Sequence, residues 1–103
     1  MDFKKDIYQD PEIKKYLKQM AQDQRAFVSL ANILFTRGLL EDAVEVCKDG
    51  LEKNPNFAAG RAVLGKCYHK LGNKENARVE FENTLKINPE NVVALKGLGE
   101  IYF

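Results

Sequence analysis

Apolar residues recur along this chain at spacings of three and four, the period of helices that each bury one face. Ile13, Tyr16, Leu17 and Met20 form one stripe over residues 11–22. Asp10-Pro11-Glu12 opens it with a side-chain cap, a proline in the first turn and an acid at the positive helix end. A second helix is predicted from Asp23 or Gln24 to about Arg37. Ala26, Phe27, Leu30, Ala31, Ile33 and Leu34 make it apolar over more than half its circumference, which suits a helix wedged between two neighbours. Gly38 ends that helix. The next runs from about Leu40 to Lys53, buries Ala43, Val44, Val46, Cys47 and Leu51, and stops at Asn54-Pro55, because proline cannot continue the ladder. The order then repeats. A helix over 58–71 carries Val63, Leu64, Gly65, Cys67 and Tyr68, Gly72 breaks it, and a helix over 74–87 carries Ala77, Val79, Phe81, Leu85 and Ile87. A last helix begins at Val92. With no strand-like alternation, the fold class is all-α. Residues 1–9 show no period and are expected to fray.

The repetition is in register. Laid 34 residues apart, residues 24–57 and 58–91 share Leu30/Leu64, Gly38/Gly72, Glu41/Glu75, Ala43/Ala77, Leu51/Leu85, Asn54/Asn88 and Pro55/Pro89. A third copy begins at Val92 and reproduces Leu98, Gly99 and Tyr102. The order Leu64-Gly65, Tyr68, Gly72, Ala77, Phe81 and Pro89 resembles the tetratricopeptide repeat, a helix–turn–helix unit of roughly 34 residues. That resemblance implies antiparallel helical hairpins stacked as an α-solenoid within one domain. The domain holds an N-terminal helix at 11–22, repeats at 24–57 and 58–91, and the first helix of a partial repeat at 92–103. The N-terminal helix reads as a cap whose Lys14, Lys15 and Lys18 face meets water. Gly65, with Ala31 and Gly99, is expected where the helices of a pair come closest, and Ala43 and Ala77 are expected as the small residues opposite.

Composition narrows the function by exclusion. Sixteen basic and fifteen acidic residues leave a net charge of +1, too little to draw in nucleic acid or an anionic membrane surface. No apolar run approaches the roughly 20 residues of a membrane span, and the polar N-terminus does not read as a secretory signal. The expected location is therefore cytoplasmic. Ser29 is the only serine and His69 the only histidine, so no hydrolytic constellation can be assembled. No glycine cluster follows a strand to hold phosphate. Cys47 and Cys67 occupy apolar positions of their repeats and read as buried thiols, with no metal site and no cofactor implied. The carboxylates Glu41, Glu45, Glu52, Glu75, Glu80 and Glu82 read as solvated outer-face residues. The expectation is a protein without enzymatic activity.

Function then rests on surface shape. In the family that this chain resembles, first helices line the concave side of the stack. The resemblance places Arg25, Val28, Asn32, Phe35, Ala62, Lys66, His69, Lys70, Lys96 and Glu100 towards that groove. Arg25, Asn32, Phe35, Lys66, His69, Lys70 and Lys96 are the candidate binding residues. Lysine and arginine outnumber acids there, so the groove is expected to hold an extended or helical partner segment carrying acidic groups. Family members that grip a C-terminal carboxylate use lysine and asparagine, then asparagine, then two basic residues. The corresponding places hold Val28 and Asn32, then Lys66, then Lys96 and Glu100, and Glu100 would repel a carboxylate. The expected role is a scaffold or adaptor. The alternative comes from residues 92–103, where Val92, Val93, Leu95, Leu98, Ile101, Tyr102 and Phe103 leave little polar surface. A terminal repeat needs a polar outer face. The chain is thus expected either to belong to a longer array or to be covered there by a partner, with self-association or fraying from Val92 as the consequence.

Overall fold

The computed structural model describes residues 9–102, so the fraying expected of the first residues lies, Gln9 aside, outside the described part, as does Phe103. Six α-helices form among the described residues: α1 (Pro11–Gln22), α2 (Phe27–Thr36), α3 (Leu40–Lys53), α4 (Ala58–Lys70), α5 (Lys74–Ile87) and α6 (Val92–Tyr102). A short 3-10 turn, Gln24–Ala26, precedes α2. It arises because Asp23 accepts from the Arg25 backbone N–H and sets a tight first turn.

Local chemistry sets the boundaries. The Asp10 carboxylate accepts from the backbone N–H groups of Glu12 and Ile13, and Pro11 stands at the first helical position. Gly38 and Gly72 adopt φ of 77° and 83°, the left-handed conformation that glycine reaches without steric cost. After each helix the chain turns back with a bond across six residues: Leu39 donates to Leu34 and Asn73 to Tyr68, both at 2.9 Å. Asn91 caps α6 by accepting from the Ala94 N–H at 2.9 Å.

Each helix packs against the next in sequence, and α2 also packs on α4 and α4 on α6. The first helices of successive hairpins therefore form one continuous layer, with α3 and α5 behind it. The largest core cluster joins Ile13 of α1 to Phe27, Leu30, Ala31 and Leu34 of α2, Ala43, Cys47 and Leu51 of α3, and Val63, Leu64 and Cys67 of α4. A second cluster holds Ala77, Phe81 and Ala94. Tyr68 packs against both.

Two aromatic rings organise the crossings, each between two glycines. A Cβ on Gly50 would lie 2.2 Å from the Phe27 ring, and one on Gly60 would lie 2.5 Å from it. Likewise a Cβ on Gly65 would approach the Phe81 ring to 2.6 Å, and one on Gly97 to 2.3 Å. Real side chains do not fit at such distances, so these glycines exist to let Phe27 and Phe81 lie flat between helices. Phe57 adds an edge-on contact to Phe27, with ring centroids 5.9 Å apart.

Several expectations need correction. Gly65 is the close approach expected of it, but the group nearest to it is the Phe81 ring. Gly99 has no atom of the described residues within 4 Å of where its Cβ would stand. Val79 and Ile87 do not contribute to the core and are 39% and 38% exposed. Val79 lies two residues from both Ala77 and Phe81, about 200° round the helix from either. Thr84 takes a core place instead, fully buried, with its hydroxyl donating to the Glu80 carbonyl at 2.8 Å.

Candidate functional site: a lysine-rimmed hollow on the first-helix face

The layer formed by α2, α4 and α6 carries a hollow of about 520 Å³. Phe35 closes it from α2. Lys66, His69 and Lys70 reach it from α4, and Val92, Val93, Lys96, Gly97 and Glu100 from α6, with Phe81 at the floor. Helical spacing explains the α4 set. Lys66, His69 and Lys70 stand three and four residues apart, on the face opposite Leu64 and Cys67, which are turned into the core.

Lys66 is held in place. Its ammonium donates to Asn32 Oδ1 at 3.4 Å and lies 4.6 Å from the centre of the Phe35 ring. Two of its surroundings are thus fixed by α2, and the charge remains directed at the hollow. Lys70 and Lys96 are exposed and have no acidic partner among the described residues. His69 Nδ1 stands 3.5 Å from Glu100 Oε2, so the hollow's one carboxylate faces a histidine across α4 and α6. Three lysines against one glutamate give the rim a positive balance over a floor of aromatic and aliphatic carbon.

The seven candidate residues divide by position. Phe35, Lys66, His69, Lys70 and Lys96 line this hollow, and Asn32 supports it through Lys66. Arg25 stands elsewhere. It pairs with Asp23 at 3.8 Å and lies 6.0 Å from the Phe57 ring, with its side chain 66% exposed.

One carboxylate expected on the solvated outer face is structural instead. Glu80, read as a solvated carboxylate, accepts from Arg61 Nη1 at 3.1 and 3.2 Å and is only 13% exposed. Arg61 in turn donates from Nε to the Pro55 carbonyl at 2.7 Å, tying the interrepeat corner to α5. Glu75 and Glu82, by contrast, stay 73% and 41% exposed on the outer face as expected, each pairing with Arg78 of the same helix. The sequence reading singles out Gly65 but not Gly50, Gly60 or Gly97, which pack on the same two rings. Their signal was available, because a glycine inside a helix costs about 1 kcal/mol against alanine and asks for a packing reason.

No group of histidine, cysteine, aspartate and glutamate among the described residues could hold a metal ion. Both cysteines are free and buried. Burial pushes the Cys67 thiol up to about 11 and that of Cys47 further still. Both thiols are thus held in the protonated form inside the core. No helix among the described residues is long and apolar enough to cross a membrane.

Comparison with known proteins agrees with this architecture. A family model for the tetratricopeptide repeat matches residues 28–92. The chain is 36% identical over 75 residues to the CTR9 homolog of Arabidopsis thaliana, a match covering 72% of this chain and 7% of that protein. It is 43% identical over 67 residues to human tetratricopeptide repeat protein 17, covering 65% of this chain and 6% of that protein. The chain therefore spans a small fraction of these relatives' length. Among solved structures, the first tetratricopeptide domain of Spaghetti (RPAP3), bound to an HSP90 peptide, superposes with a TM-score of 0.82 at 24% identity, covering 97% of this chain and 81% of that one. YrrB, described as having an unusual peptide-binding site, gives 0.76 at 21% identity, over 86% of this chain and 46% of that one. At such identities the structural likeness bears on the fold alone. Register, glycine-packed hairpins and family match converge: the chain belongs to the tetratricopeptide repeat family.

Proposed function

We propose that this chain is a non-catalytic interaction module that holds a partner segment, bearing acidic groups beside apolar ones, in the hollow of the first-helix face. One observation carries the reading. Lys66 is pre-positioned by Asn32 and Phe35, and Lys70 and Lys96 stand free beside it over an apolar floor. A fixed cation loses less side-chain entropy on binding than a free one, so Lys66 is the natural anchor for a carboxylate. Phe35 and Val93 offer the adjoining apolar contact. Glu100 opposes a second negative charge at the α6 end and so gives the groove a direction. Tetratricopeptide proteins generally mediate protein–protein contacts, and both structural neighbours above are described with a peptide or a peptide-binding site, which supports the same class of role.

The test is a titration with a synthetic peptide of alternating glutamate and leucine, run beside the same peptide with lysine replacing glutamate. The acidic peptide binds and the basic one does not. Lys66→Glu with Lys70→Glu weakens the acidic peptide by about tenfold or more, and raised salt weakens it in the native chain. Equal affinity of both peptides, or of the native and charge-reversed chains, overturns the reading.

A further inference from the structure

The lysine-rimmed hollow contains one pair of groups that a simple cationic groove does not call for. His69 reaches it from α4 and Glu100 from α6, with Nδ1 and Oε2 3.5 Å apart. Their side chains are 28% and 51% exposed, so solvent protons reach both. His69 is the only histidine in the chain, and Glu100 is the only carboxylate among the residues that line the hollow.

The surrounding charges are lysines. Lys66 and Lys70 come from α4, and Lys96 stands on α6 one helical turn before Glu100. From α2 the hollow receives Phe35, with Asn32 behind Lys66, and from α5 it receives Phe81. Neither helix adds a charge there. The α5 carboxylates are engaged elsewhere, Glu75 and Glu82 with Arg78 and Glu80 with Arg61. No described residue of α3 lines the hollow. A neutral imidazole therefore leaves three cations and one carboxylate on the rim, and an imidazolium makes four cations and one carboxylate.

Histidine is the side chain whose charge ordinarily changes between pH 5 and 8. In the empty groove the three lysines oppose a fourth positive charge, while Glu100 favours it. An acidic segment settled on the lysines cancels their opposition and so favours a proton on His69. That proton in turn engages Glu100, the one group on the rim that repels the segment. Proton and segment thus strengthen each other's binding, by the reciprocity that any two linked ligands obey.

We infer that His69 and Glu100 form a proton-operated switch in this groove: His69 takes up a solvent proton as an acidic segment binds, pairs with Glu100 and removes its repulsion of the segment. The inference rests on the groove reading above and adds its regulation, a grip that tightens as pH falls from about 7.5 to about 6.

The test is calorimetric titration of the chain with the glutamate–leucine peptide at both pH values, in two buffers of different ionisation enthalpy. Glutamate side chains stay ionised across that window. The thiols do not titrate in it either, since burial pushes Cys67 up to about 11 and Cys47 further. The expected result is an affinity about threefold higher at the lower pH, the size of an exposed charge contact, with proton uptake on binding. His69→Gln flattens the pH response and abolishes the proton uptake. Glu100→Gln binds more tightly than the native chain at the higher pH and gains less on acidification. Equal native affinity at the two pH values, or an undiminished pH response in His69→Gln, overturns the inference and leaves the groove reading standing. A peptide that binds at neither pH overturns both.

Discussion

At the scale of single residues, glycines decide how closely the helices approach. Gly65 and Gly97 hold the Phe81 ring between them, while Gly99, two residues on from Gly97, faces open space. The three positions should respond to alanine in opposite directions. Gly65→Ala and Gly97→Ala gain about 1 kcal/mol of helix propensity but overpack a filled core, with a cost of about 1–3 kcal/mol that exceeds the gain. Gly99→Ala keeps the propensity gain and meets nothing, so it is neutral or stabilising by up to about 1 kcal/mol. Urea unfolding of the three variants checks this, and equal destabilisation by all three would refute the packing account. The sequence made Gly65 legible as a close approach because its register with Gly99 was visible. It could not show that Gly65 meets an aromatic ring, or that Gly97 does the same, because Gly97 has valine at the matching place one repeat earlier. Which residue faces which across a crossing depends on helix rotation, and periodicity along one chain does not carry that information.

At the scale of elements, helix type and boundaries followed from caps and breakers that act locally, so Asp10-Pro11, Gly38, Gly72, Asn54-Pro55 and Asn88-Pro89 could be read directly. Contacts between elements could not. The N-terminal helix is bound to the first repeat by Ile13 in the core and by Arg37, which reaches back from the end of α2 to Asp10 and to Glu12, the latter at 2.8 Å. The hydrogen bond from Arg37 holds the Asp10 carboxyl below the usual carboxylate range. A carboxyl with a depressed folded-state pKa adds stability that is present above its unfolded value, near 4, and is lost as pH falls through the folded one. Docking of α1 should therefore loosen on acidification below about pH 4, seen as faster amide exchange at Ile13 and Leu17. Arg37→Ala removes that acid dependence. An unchanged acid response in the variant would show that another carboxylate governs it. Glu80 teaches the same lesson from the other side: as a sequence position it sits among surface glutamates, and only the path of α4 past α5 turns it towards Arg61.

At the scale of the whole molecule, the faces of the stack differ in chemistry. The face of α2, α4 and α6 is charged around an apolar floor, whereas the outer side of α6 is apolar around a hollow. A charged rim over apolar carbon fits the proposed occupant of the first face, a segment bearing acids beside apolar side chains. The groove was foreseeable in outline because first helices repeat every 34 residues and their intervening residues could be picked out. The anchoring of Lys66 between Asn32 and Phe35 was not, since it joins two repeats through side-chain geometry. Arg25, chosen by the same register, turns instead to Asp23 and Phe57 at the corner of the first repeat. The account stands most directly on where an acidic segment binds. Amide and side-chain shift mapping of the labelled chain during titration with the glutamate–leucine peptide measures this. The account predicts saturable changes at Phe35, Lys66, His69, Lys70 and Lys96, with the Lys66 side-chain signal moving furthest. Changes confined to the outer faces of α3 and α5, or none at saturating peptide, would contradict it.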